Sequence, residues 1–143
     1  MKMNQLYEQD YNRWAETMAN LLESRKFTEL DLENLVEEVR DLSKRERDRL
    51  LSRLRLIVHH LLKWDHQPQL RSKSWQTTIQ RERLHIKKYL QDSPSLRRYL
   101  TNEYVNQVYE TGRLDAIGET GLEMPIVCPY QILDVLEREV DLT

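Results

Sequence analysis

Apolar residues recur at helical spacing along almost the whole chain, and most densely between residues 50 and 64, LLSRLRLIVHHLLKW. There Leu50, Leu54, Ile57, Leu61 and Trp64 form one stripe, Leu51, Val58 and Leu62 widen it, and Leu56 adds apolar surface beyond it. A helix that is apolar over most of its circumference needs partners on several sides. This stretch is therefore predicted to be the central member of a helical bundle.

The flanking patterns supply the partners. Asp10 can cap a first helix with the stripe Tyr11, Trp14, Met18 and Leu21, with Leu22 beside it, fading near Ser24 to Lys26. Thr28 and Asp31 form an acidic variant of the capping box before Leu32, Leu35, Val36, Val39 and Leu42. Ser43 followed by Glu46 is a second capping box, which fits either a new helix after a turn or a kink in one continuous rod. Pro68 ends the central helix, because proline disfavours helical geometry in the residue before it, and HQPQLRSKS follows as a loop.

Ser74 can cap a fourth helix carrying Trp75, Ile79, Ile86, Tyr89 and Leu90. Ser93 at a cap with Pro94 at the first helical position opens a fifth, with the stripe Leu96, Leu100, Tyr104 and Val108 flanked by Tyr99 and Val105. Gly112 weakens it by roughly 1 kcal/mol relative to alanine. Leu114, Ala116 and Ile117 continue it to Thr120, and Gly121 is a C-terminal cap. LEMPIVCP reads as extended, and Pro129 opens a short last helix through Leu133, Leu136 and Val140. The expectation is one all-α domain over residues 1–143: a compact bundle of five or six helices around a central helix 43–66, without an internal linker.

Composition supports that expectation. Only 3 Gly and 4 Pro, with 32% charged residues, argue against a sheet-rich or disordered chain. A single cysteine, Cys128, excludes an intramolecular disulfide and a thiolate metal cluster within one chain, which fits a reducing cytosol. MKMNQLYEQDYNRW lacks a signal-peptide core, and no apolar run approaches a membrane span, so a cytoplasmic protein is expected.

The net charge of −2 conceals segregation. Residues 1–43 hold 5 Lys+Arg against 10 Asp+Glu, residues 44–98 hold 15 against 5, and residues 99–143 hold 2 against 9. The basic segment 44–98 either neutralises its flanks inside the fold or presents a positive face to a protein or nucleic-acid partner.

Several residue groups carry candidate chemistry. His59, His60 and His66 lie near Asp65, and Glu33 and Glu37 sit one helical turn apart upstream. Imidazole and carboxylate can together ligate a metal or perform acid–base chemistry, and Arg83 can hold an anionic substrate. No HExxH is present, however, so no metal or cofactor is expected, and a buried histidine held by a carboxylate or carbonyl is the commoner outcome. His60, Glu33, Glu37 and Arg83 are thus the catalytic candidates of an alternative, enzymatic reading.

The stretch WDHQPQLRSKSW offers Trp64, His66, Arg71, Lys73 and Trp75, with Arg81 beyond it, as candidates for stacking on bases or contacting phosphates, although tryptophans more often lid a core. Arg81, Arg83, Lys87 and Lys88, followed by Arg97 and Arg98, form the densest basic run. Cys128 has no sequence neighbour that would make it a nucleophile.

Six ordered blocks, LDLENLVEEV, HLLKW, SWQTTIQRER, DSPSLR, ETGL and CPY, resemble the bacterial domain-of-unknown-function family 29, which occurs in cyanobacteria and proteobacteria. The resemblance covers nearly the whole chain. It implies a compact all-helical protein and transfers no reaction, cofactor or catalytic residue. With no specific catalytic motif, the first reading is a non-enzymatic interaction module using the basic segment, its oligomeric state open.

Overall fold

The computed structural model describes residues 2–142 and contains helices, 3-10 turns and irregular connections, with no strand among the described residues. The helices are α1 (Met3–Gln9), α2 (Tyr11–Glu23), α3 (Leu32–His66), α4 (Lys73–Asp92), α5 (Asn102–Thr120) and α6 (Ile132–Glu137). They belong to two compact units, residues 1–45 and 46–143, and α3 contributes to both.

In the first unit, Asp10 caps α2 as its sequence position predicts, accepting from the Arg13 amide at 3.1 Å. α2 ends in a Schellman arrangement: the Lys26 amide reaches the Leu21 carbonyl and the Arg25 amide the Leu22 carbonyl, with Arg25 at φ 58 where glycine is the usual residue. Trp14 Nε1 donates to Asp31 at 3.1 Å, and the Asp31 amide contacts Met18 Sδ at 3.4 Å. The Tyr7 and Tyr11 hydroxyls both donate to Glu38. These bonds hold the Glu38 carboxyl below its usual range and push the Tyr7 hydroxyl up to about 12. Because Tyr11 meets Glu38 while Met18 meets Asp31, α2 and the start of α3 run antiparallel. Trp14 and Met18 are the buried residues of this unit among those described.

The second unit is a bundle around residues 46–66 of α3. Leu50, Leu54, Ile57, Val58, Leu61, Leu62 and Trp64 are all buried, against Ile79 and Ile86 of α4, Val105, Val108 and Ala116 of α5, and Val135 of α6. The breadth of the apolar stripe is what allows one helix to be surrounded in this way.

Local signals were followed unevenly. Ser43 lies inside α3, so the alternatives at that position reduce to one helix from Leu32 to His66. Residues 40–49 hold no glycine or proline, and one serine costs too little to stop a helix whose neighbours favour it. Ser72, two residues before the expected cap, starts α4 by accepting from the Trp75 amide at 3.2 Å. The chain is fixed just ahead of it by Arg71 Nε on the Trp64 carbonyl at 2.8 Å.

Pro94 opens a 3-10 turn, Pro94–Tyr99, and α5 starts only after Thr101, whose hydroxyl accepts from the Tyr104 amide. Breaking the helix there lets both Leu96 and Val105 reach the core. The last helix begins after Gln131 rather than at Pro129, with Asp134 accepting from the Gln131 amide at 2.9 Å. Gly121 caps α5 at φ 71, as expected. Gly112 marks a close approach of α5 to α3: a Cβ there would lie 3.2 Å from Val58 Cγ1 and 3.4 Å from the Arg55 carbonyl.

Candidate functional site

α5 and α3 place a ladder of opposite charges on each other in the second unit. Arg55, His59 and Lys63 recur every four residues on α3, and Asp115 and Glu119 do so on α5. Arg55 Nε lies 3.7 Å from Asp115, His59 Nε2 2.6 Å from Glu119 Oε2, and Lys63 Nζ 2.8 Å from Glu119 Oε1. Lys63 is 3% exposed and its ammonium also sits 4.6 Å from the centre of the Trp75 ring. The Glu119 carboxylate and the Trp75 π face stand where water would otherwise meet the ammonium. The Lys63 ammonium and then the His59 ring hold the Glu119 carboxyl below its usual range.

His60 faces a different environment. Its Nδ1 lies 2.9 Å from the Leu56 carbonyl, and burial pushes its pKa down, which favours the neutral ring donating from Nδ1 to that carbonyl. The ring is thereby fixed by its own helix rather than by a carboxylate.

Two further clusters tie later segments to the bundle. Asp65 accepts from the Tyr130 hydroxyl at 2.7 Å and from Arg138 Nη2 at 2.6 Å, and burial pushes the tyrosine hydroxyl up. Glu82 is 2% exposed, and Arg53 Nη1 donates to it at 2.8 Å while Arg53 Nε donates to the Tyr89 hydroxyl at 3.2 Å.

Arg83 donates to the carbonyls of Val135 at 2.9 Å and Asp134 at 3.1 Å, so it satisfies the backbone of α6. Burial pushes its pKa down. It also edges a groove of about 340 Å³ whose rim is Arg83, Lys87, Arg97 and Glu137, and whose walls are Leu84, Ile86, Leu90, Leu100 and Leu136. Lys87 and Arg97 have no carboxylate within ion-pair range among the described residues.

The residues singled out from sequence divide between the two units. Glu33 and Glu37 belong to the first unit, on the opening turns of α3, and His60 makes its contacts within the second. Within the second unit the carboxylate beside the histidine pair is Glu119, which sequence reasoning missed. Trp64 is buried under the Arg71 guanidinium at 4.9 Å, and Trp75 carries Lys63. His66 ends α3, Lys73 begins α4, and both are exposed. Arg81 is exposed with its Nε 3.5 Å from Glu82. Among the described residues, no three His, Cys, Asp or Glu side chains gather closely enough to hold a metal ion.

Fold and polar framework together define an all-helical domain braced by ion pairs. No helix among the described residues is long and apolar enough to cross a membrane. The chain belongs to the family described as "Domain of unknown function DUF29", whose model matches residues 6–140. Neither the curated proteins nor the solved structures give a match.

Proposed function

We propose that this protein is a non-enzymatic interaction module of the cytoplasm, and that the groove rimmed by Arg83, Lys87 and Arg97 receives an acidic, amphipathic segment of a partner protein. The observation that carries the reading is that Lys87 and Arg97, which have no ion-pair partner among the described residues, share a rim with Arg83 and Glu137 above a leucine and isoleucine floor. A helix or extended segment with Asp or Glu beside Leu, Ile or Phe matches both features. A nucleic acid matches only the charge. The two tryptophans best suited to stacking on bases support the protein reading, because Trp64 is enclosed and Trp75 is occupied by Lys63.

The test is selection of a displayed random-peptide library on the immobilised full chain, followed by fluorescence anisotropy of the enriched peptides and of a single-stranded DNA oligomer. Enriched sequences are expected to pair acidic with large apolar residues, and to bind Lys87→Glu/Arg97→Glu at least about tenfold more weakly, in a salt-sensitive manner. DNA bound as tightly as the peptides, or peptides that ignore the double variant, would sink the reading.

A further inference from the structure

We propose that residues 11–45 are half of a four-helix bundle, completed by a second copy of this chain. The first observation is a missing core. α2 and the start of α3 form an antiparallel hairpin that buries Trp14 and Met18, yet Leu22, Leu32, Val36, Val39 and Leu42 remain exposed at helical spacing. Hairpins of this size do not enclose enough apolar surface by themselves, and pairing of two hairpins is the usual remedy.

The second observation is a shape. Between the two helices runs an open groove of about 280 Å³, floored by Trp14 and Met18, kept wide by Ala15 and Ala19, and edged by Leu35 and Leu42. The third observation identifies the occupant. Along one flank of the exposed stripe stand Glu33, Glu37, Arg40 and Lys44, spaced four, three and four residues apart, acidic first and basic last.

A second α3 laid antiparallel, with the twofold axis between residues 38 and 39, sets Glu37 opposite Arg40 and Glu33 opposite Lys44 of the other copy, each twice, and Leu35 opposite Leu42. Antiparallel pairing about a twofold brings like flanks together, so this charge order is self-complementary. Parallel pairing would bring opposite flanks together and leave these four charges without one another as partners.

The experiment is light scattering coupled to size exclusion, with sedimentation velocity, on the full chain from micromolar to near-millimolar concentration. The unaltered chain is expected to dimerise. Val39→Glu, at a position already exposed in the single chain, is expected to be monomeric with an unchanged far-ultraviolet circular dichroism spectrum. Glu33→Lys/Glu37→Lys and Arg40→Glu/Lys44→Glu are each expected to weaken self-association by about tenfold or more, since every cross-pair becomes a repulsion. An equimolar mixture of these two variants is expected to form a mixed dimer, a result that damage to folding could not produce. A monomer at all concentrations overturns the proposal and leaves the groove to a different protein's helix. A dimer indifferent to Val39→Glu, or charge variants that fail to pair when mixed, overturns it equally.

Discussion

The pair Arg53–Glu82 tests how the second unit carries its internal charge, because its two members are unequally enclosed. The Glu82 side chain is 2% exposed and that of Arg53 is 31% exposed, with 2.8 Å between Arg53 Nη1 and the carboxylate. Removing one partner of a buried pair is costly in proportion to how little water reaches the charge left behind. Arg53→Met leaves the Glu82 carboxylate in the protein with only Arg81 at 3.5 Å, on the solvent side, so a loss of about 3 kcal/mol is expected.

Glu82→Met instead leaves a guanidinium that keeps the Tyr89 hydroxyl and reaches water, so its loss is expected to be about 1 kcal/mol or less. The double variant removes both charges and is expected to resemble Glu82→Met rather than the sum of the two. For a chain of this size the larger loss corresponds to about 6–12 °C in the melting temperature. Urea titration and scanning calorimetry of the four proteins complete the double-mutant cycle. Equal losses in the two single variants, or simple additivity in the double, would refute the argument from unequal burial.

Other substitutions probe other contacts. Gly118→Ala should stabilise α5 by up to about 1 kcal/mol in urea, since its Cβ meets nothing within 4 Å, whereas Gly112→Val should cost about 2 kcal/mol or more against Val58 and the Arg55 carbonyl. Arg25→Gly should stabilise the first unit by about 1 kcal/mol by relieving the left-handed backbone at the end of α2, read as a higher urea midpoint. The folded Glu119 carboxyl lies below its unfolded value, so its contribution is present above the unfolded value and is lost as pH falls through the folded one; Lys63→Met should flatten that part of the melting-temperature profile. The same sign holds for His60, whose folded pKa lies below 6.5: the unfolded chain takes the proton first, so stability falls on acidification and His60→Gln should lose that slope in calorimetric scans from neutral to mildly acidic pH.

The fold was legible wherever a helix buries a wide apolar face. Residues 50–64 announced a surrounded helix because nine large apolar side chains cannot all point one way. α1 was not legible, since the seven residues MNQLYEQ offer only Met3, Leu6 and Tyr7 at helical spacing, too short a run to mark a helix, and Tyr7 is held by Glu38, a contact made 31 residues away. Ser43 and Pro94 misled for opposite reasons. Ser43 offers a cap that the favourable residues on both sides override, while Pro94 offers a helix start that the core's need for Leu96 converts into a 3-10 turn. At the candidate site, Lys63 was not singled out from sequence, although a lysine set within the apolar run LLKW is a signal of enclosure. Its partner Glu119 is 56 residues away, and no spacing rule connects them. The blocks carrying the family resemblance do meet there: Lys63, Trp75 and Glu119 each come from a different one.

The segregation of charge along the chain has two different fates in the second unit. Cations on α3 that face α5 meet acids at matching four-residue intervals, and Arg71 and Arg83 are drawn onto carbonyls at Trp64, Asp134 and Val135. Lys63 is wholly and Arg83 partly enclosed, and salt screens their contacts weakly, whereas the Arg55–Asp115 pair is exposed on both sides. Lys87, Lys88 and Arg97 stand on exposed turns with no carboxylate in ion-pair range among the described residues, where salt screens strongly. Ionic strength therefore separates the two roles. Salt that leaves the melting temperature nearly unchanged should still weaken binding at the groove, because the braces of the fold and the cations of the surface belong to different electrostatic environments.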